Sequence, residues 1–212
     1  MKRNPKQRDN STFEAKARLR LAALRELGGE APVIMETHGG FGRLFLRCYR
    51  NVQTGVVFEQ DSGKADALGR QRPTWAVYEA DCERAIRAGV GSHLAVNFLD
   101  LDPYGQPWEV MDAFFESERP RSSRLVLVAN DGLRQTLKLN VGWAVQSLRS
   151  ITERRGNAAL YRDYLAVCRE LVAEKAAKVG YDLRRWTGYY CGDKQALTHY
   201  AAVLARITSR AS

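Results

Sequence analysis

The chain has 212 residues, 45% of them hydrophobic and 27% charged, enough to build the core of one α/β domain. Its formal net charge of +9 favours polyanionic partners, with a solvated basic surface as the lesser alternative. The sequence holds no apolar run of about 18 residues and no apolar stretch behind Met1-Lys2-Arg3-Asn4-Pro5-Lys6, so neither a membrane-spanning helix nor a secretory signal is expected.

Residues 1–12 read as a basic flexible arm and residues 13–212 as a single domain. Ser11 or Thr12 can cap a helix over 13–27, which Gly28-Gly29 ends. Short apolar strands then alternate with helices. Strands are predicted at 32–36, 55–59, 74–78, 94–99 and 124–129, and helices at 43–49, 62–68, 82–87 and 108–116. This alternation predicts a mostly parallel sheet with helices on both faces and ligand-binding loops along one edge. Residues 132–155 read as loop plus helix, and 158–179 as one amphipathic helix ended by Gly180. Two β-rich runs, 181–190 and 198–207, flank Cys191-Gly192-Asp193-Lys194 and predict an antiparallel hairpin. Cys48, Cys82, Cys168 and Cys191 lie far apart without metal-ligand spacing, so reduced thiols in a cytoplasmic protein and no metal site are expected.

Four segments carry candidate chemistry. Glu36-Thr37-His38-Gly39-Gly40-Phe41-Gly42 joins a strand to a helix. Its glycines permit either a sharp plain turn or a close approach to a ligand at the helix N-terminus. Glu59 ends the next strand, where a carboxylate can accept bonds from ribose hydroxyls or simply face solvent. Asp81-Cys82 follows the third strand; Asp81 can take a bond from an adenine amino group or cap a helix. The segment Asn97-Phe98-Leu99-Asp100-Leu101-Asp102-Pro103-Tyr104-Gly105-Gln106-Pro107 sets two acids and an aromatic in a loop stiffened by two prolines.

In this order, the four segments resemble class I S-adenosylmethionine (SAM)-dependent methyltransferases over roughly residues 30 to 207. Residues 36–42 are similar to that family's E/D-x-G-x-G-x-G loop, with His38 at the first glycine and an extra Gly39. The resemblance implies a Rossmann-like, seven-stranded, mostly parallel sheet with a reversed last strand. It implies SAM as cofactor, held by Glu36, His38, Gly40, Gly42, Glu59, Asp81, Cys82 and Asp100. Residues 100–107 most resemble the D-x-D-P-F/Y-G-S-P segment of tRNA guanine N2-methyltransferases, with Gln106 in place of serine, and are related to the D/N-P-P-Y/F motif of nucleic-acid amino-methyltransferases. No counterpart of the tRNA enzymes' extra C-terminal domain is present in the sequence.

The implied reaction is N-methylation of an exocyclic base amine, on RNA in preference to DNA. Asp102 and the Pro103 carbonyl would accept the amine's N–H bonds and Tyr104 would stack on the base. Lys2, Arg3, Lys6 and Arg8 in the arm, and Arg119, Arg121 and Arg124, are candidate phosphate contacts. Asp131-Gly132 is a candidate pocket wall, whereas His93, His199, Trp186, Tyr189 and Tyr190 read as structural. A protein amide or small-molecule substrate, and a non-catalytic module of the same fold, are the competing readings.

Overall fold

The computed structural model describes residues 12–138 and 146–207. Its sheet comprises β1 (Val33–Glu36), β2 (Thr54–Glu59), β3 (Ala76–Glu79), β4 (Phe98–Leu101), β5 (Arg124–Asp131), β6 (Tyr181–Cys191) and β7 (Leu197–Arg206). The order is β3-β2-β1-β4-β5-β7-β6. Strands β1 to β5 are parallel, and β7 runs antiparallel to both β5 and β6. The expected seven-stranded Rossmann-like sheet with a reversed terminal hairpin is therefore the fold.

The central strands are largely apolar because both faces are covered, with Glu36 and Asp100 as buried exceptions near their ends. Successive residues point to opposite faces. Met35, Leu99 and Leu127 join a core layer with α3 (Cys82–Arg87), α4 (Trp108–Glu116) and α6 (Gln146–Lys178). Their neighbours Ile34, Phe98 and Val126 join a second layer with α1 (Phe13–Arg25), α2 (Ser62–Gln71) and a π-helical turn, Phe45–Tyr49. No helix among the described residues is long and apolar enough to cross a membrane.

Three of the differences from expectation bear on the site and its surroundings. The fourth strand begins at Phe98, not at 94. The Asn97 side chain accepts from Val33 N (2.8 Å) and donates to Ala31 O (2.9 Å), tying the chain down just before the ladder begins. The strand consequently runs on to Leu101 and carries Asp100 within it. The helix predicted at 43–49 contains the π turn. The last long helix starts upstream, at Gln146, and breaks at Gly156, whose φ of 71° lies outside helical space. The segment before it holds α5 (Leu133–Lys138). The basic arm's Lys2, Arg3, Lys6 and Arg8 lie outside the described residues.

Candidate functional site

The parallel strands bring the loops that follow β1 to β4 to one sheet edge, where a cleft of about 1050 Å³ opens. Glu36, His38, Gly40, Glu59, Asp81 and Cys82 line one side, and Asp102, Pro103 and Tyr104 another. Thr12, Phe13 and Lys16, at the start of α1, add a third wall.

The glycine loop is shaped by close packing. Gly39 N donates to Phe58 O (3.0 Å) and Gly42 N to Gly39 O (2.9 Å). A Cβ on Gly39 would lie 2.5 Å from a Leu68 methyl and 2.7 Å from a Val57 methyl. Gly39→Ala is therefore expected to cost ~1–3 kcal/mol by overpacking, read as a lower thermal midpoint; an unchanged midpoint would contradict this packing. Gly40 turns through φ 54° and its N–H donates to Glu59 Oε2 (2.8 Å), while Asp61 N donates to Glu59 Oε1 (3.1 Å). Glu59 is thus tied to the loop it faces.

Glu36 is almost fully buried and ion-pairs with Arg72, whose guanidinium packs 4.2 Å from the Phe45 ring centroid and 5.1 Å from that of Trp75. Burial pushes the Glu36 carboxyl up to about 7, against the opposing pull of Arg72. His38 Nδ1 lies 2.8 Å from Thr37 Oγ1, and its Nε2 lies 3.6 Å from Cys82 Sγ. Burial pulls the His38 imidazole below its ordinary value and pushes the Cys82 thiol up to about 12, so both are neutral at physiological pH. Asp81 caps α3 by accepting from Arg84 N (2.9 Å), and it also accepts from Gln60 Nε2 (2.7 Å) while lining the cleft.

Asp102 is reached by two donors: Lys16 Nζ at 2.6 Å, and Asn130 Nδ2, both on Oδ1. Burial opposes its ionisation, but the charges of Arg20 and Lys16 outweigh burial and hold the carboxyl below its ordinary value. Pro103 lies beside it on the cleft wall, and Tyr104 stands 90% exposed at the rim. Gly105 O accepts from Gly132 N at 2.6 Å, an approach so close that a Cβ on Gly132 would meet that oxygen at 2.9 Å.

Several expected site residues lie elsewhere. Asp100 does not line the cleft. It is fully buried, bonded by Arg20 Nε (2.8 Å), Arg20 Nη2 (2.5 Å) and Tyr49 OH (2.7 Å), and it fastens α1 to the sheet. Gly42 sits behind the loop, facing Gln71 and Leu68. Asp131 turns into the core, where Leu133 N, Trp108 Nε1 and Tyr164 OH bond its carboxylate. Arg119, Arg121 and Arg124 lie at or before the start of β5, the end of the sheet opposite the cleft. Arg124 donates to Glu26 O (2.7 Å) and Arg121 to Phe115 O (2.8 Å).

Among the residues read as structural, Trp186 stacks on Tyr200 (4.9 Å between centroids), and Tyr190 OH accepts from Leu165 N (3.0 Å). His93 is exposed. Tyr189 OH donates to Ala15 O (3.0 Å) and so takes its 3.2 Å bond with His199 as acceptor, from Nδ1–H. Burial, then the charges of Lys16 and Arg20, pulls His199 down to about 4. The unfolded imidazole titrates near 6.5 and thus binds the proton first, so stability is present above that pH and is lost as pH falls towards 4. Between pH 7 and 5 the loss from this residue is about 2 kcal/mol. In urea unfolding at these two pH values, His199→Gln is expected to remove that difference; an unaltered slope would contradict a neutral buried imidazole.

Sequence reasoning missed Lys16, Arg20, Arg72 and Asn130. One signal for the first two was present: positions 16, 20, 23 and 27 share a helix face on which Ala23 and Leu27 are buried, so cations in that stripe call for buried partners. Among the described residues, no group of three or more His, Cys, Asp or Glu is arranged to hold a metal ion.

No protein-family profile and no curated protein sequence matches the chain. Solved structures with the same fold do. Trm1 from Pyrococcus horikoshii, in complex with S-adenosyl-L-methionine, is 14% identical with a TM-score of 0.60; the match covers 92% of this chain and 56% of that one, so the chain spans little more than half of its length. M. jannaschii TYW2, in complex with AdoMet, is 14% identical with a TM-score of 0.56, covering 95% and 78% of the two chains. The plantazolicin methyltransferase BamL, in complex with a triazolic desmethylPZN analog and SAH, is 8% identical with a TM-score of 0.57, covering 95% and 87%. At these identities the likeness establishes the methyltransferase fold.

Proposed function

We propose that the cleft binds S-adenosylmethionine and that the chain transfers the methyl group to an exocyclic amino group of a nucleic-acid base, on RNA in preference to DNA. The observation that carries this reading is convergence: the glycine loop with Glu59 and the Asp102-Pro103-Tyr104 corner line the same cleft.

The residues fit the cofactor. The carboxylates of Glu59 and Asp81 line one side of the cleft, where acceptors for a nucleoside's hydroxyl and amino groups are needed. Glu59, braced by Gly40 N–H and Asp61 N–H, would accept the ribose hydroxyls, and Asp81 would take the adenine amino group. His38, Gly40 and Cys82 would shape the wall between them. Bound there, the cofactor supplies a methyl group already activated by its sulfonium charge, so the chain itself needs no strong base or metal.

A base amine is a weak nucleophile because its lone pair is delocalised into the ring. Asp102 and the Pro103 carbonyl would accept its N–H bonds and favour a pyramidal nitrogen. Tyr104, exposed at the rim, would stack on the base. Catalysis then rests on alignment and on a preorganised charge in a partly dry site. A base inside a duplex would first be flipped out, at about a few kcal/mol. Arg43 and Lys64 on the cleft wall are the proposed phosphate contacts.

The test is incubation with isotope-labelled SAM and, separately, total tRNA, rRNA and DNA, followed by nucleoside mass spectrometry. Label on an exocyclic nitrogen of an RNA nucleoside is the expected result. Label on DNA alone would overturn the preference for RNA, and label on none of these acceptors would overturn the nucleic-acid reading.

A further inference from the structure

The acceptor carboxylate is held by residues that no motif announces. Lys16 Nζ lies 2.6 Å from Asp102 Oδ1, and Asn130 Nδ2 donates to the same oxygen. The second oxygen, Oδ2, receives no hydrogen bond from the described residues, and Asp102 lines the cleft. We propose that Lys16 is a positioning residue: together with Asn130 it locks the Asp102 carboxylate with one oxygen turned to the acceptor amine. The inference rests on the methyltransferase reading above.

The geometry behind it is a two-rung ladder. Asp100 and Asp102 are two residues apart along β4 and its extension, a step of about 6.6 Å. Lys16 and Arg20 are four residues apart on α1, a step of about 6 Å. The steps match, so the two cations meet the two carboxylates in register: Arg20 on Asp100 inside the core, Lys16 on Asp102 at the cleft. Arg20 has no exposed side-chain surface and fixes the sliding register of α1, which in turn fixes where Lys16 falls. Asn130 comes from the end of β5, paired opposite His199 of β7. Turning its amide over would set Oδ1 against the carboxylate, so repulsion holds the donor in place.

The charged and titratable groups facing Asp102 are Lys16 and Arg20 from α1, His38 from the loop after β1 and His199 from β7. Burial pulls both imidazoles below their ordinary value, leaving the two cations to hold the carboxylate ionised. Removing the Lys16 charge should raise the pH at which Asp102 takes up a proton, and a protonated Asp102 no longer accepts an amine N–H equally well at both oxygens.

The experiment compares the full-length wild type with Lys16→Met, Lys16→Arg and Asn130→Ala. The ¹³C-carboxyl signal of Asp102, identified by its loss in Asp102→Asn, is followed against pH. Its midpoint is expected to rise by about one pH unit or more in Lys16→Met, to rise less in Asn130→Ala and to stay within a few tenths of a unit in Lys16→Arg. In methyl transfer, kcat is expected to fall about tenfold in Lys16→Met, with SAM affinity within about twofold and the acid limb moved to higher pH, whereas Lys16→Arg retains most of the rate. An unmoved midpoint in both Lys16→Met and Asn130→Ala would overturn the clamp whatever the activity. Faster transfer by Lys16→Met would overturn it too, because Lys16 would then be an obstruction. A wild type that methylates nothing overturns the proposed function instead, and the carboxyl titration still decides whether Lys16 governs Asp102.

Discussion

Asp102→Ala is expected to lower the rate of methyl transfer by about 10²–10³-fold while leaving SAM affinity within about twofold, because it removes one preorganised acceptor and touches nothing assigned to the cofactor. The carboxylate lines the cleft, and its Oδ1 is already occupied by Lys16 and Asn130. Its value to the reaction therefore lies in the remaining oxygen, which would polarise one N–H of the amine as positive charge develops on nitrogen. Asp102→Asn should retain more activity than alanine but less than the wild type, since an amide oxygen accepts without a full charge. Initial rates over a range of RNA and SAM concentrations separate the cases. A variant with wild-type kcat would remove Asp102 from the chemistry.

Arg20→Met is expected to cost ~3–5 kcal/mol in stability, a far larger effect than most surface substitutions. The deletion leaves the Asp100 carboxylate buried with only Tyr49 OH (2.7 Å) to bond it. Burial of that magnitude is tolerable only while the guanidinium is present, bidentate at 2.8 and 2.5 Å. For a domain of this size each kcal/mol shifts Tm by roughly 2–4 °C, so the drop should exceed about 6 °C. Arg20→Met combined with Asp100→Leu should recover much of the loss, because an apolar pair of similar volume removes the orphaned charge. Urea unfolding of the three variants tests this. A single variant as stable as the wild type would show that Asp100 does not depend on Arg20.

The parts of the site that could be read from the sequence are those fixed by local backbone necessity. A strand that ends in Glu36 needs glycine in its turn, because Leu68 and Val57 press on Gly39 and Gly40 takes a positive φ of 54°. Glu59 could be placed because its strand is short, apolar and bounded, which sets its end at the sheet edge. Asp102-Pro103-Tyr104 stood out because prolines and an aromatic are costly in a plain surface turn.

What could not be read depends on partners distant in sequence. Asp100 and Asp102 share one side of the chain and differ by two residues, so alternation gives them the same direction. Only the position of α1 decides that one meets Arg20 in the core and the other meets Lys16 at the cleft. The frame of β4 was ambiguous for a related reason. A strand buried on both faces shows no alternation to fix its start, and the side-chain ties of Asn97 to Val33 and Ala31, 64 and 66 residues away, set where it begins. Asp131 looked like a pocket residue from its place at the strand end, but its partners Trp108 and Tyr164 belong to helices on the far face and draw it inward. The arginines at 119, 121 and 124 looked like one basic cluster, and only the topology sets them at the sheet end away from the cleft.

The proposed reaction requires the cleft to take a nucleoside cofactor by way of Glu59. Calorimetric titration of the wild type and of Glu59→Ala with SAM tests this most directly. One site of saturable binding in the wild type, weakened about tenfold or more in Glu59→Ala with the fold intact, is the predicted result. No heat of binding in the wild type, or equal affinity in both proteins, would contradict it.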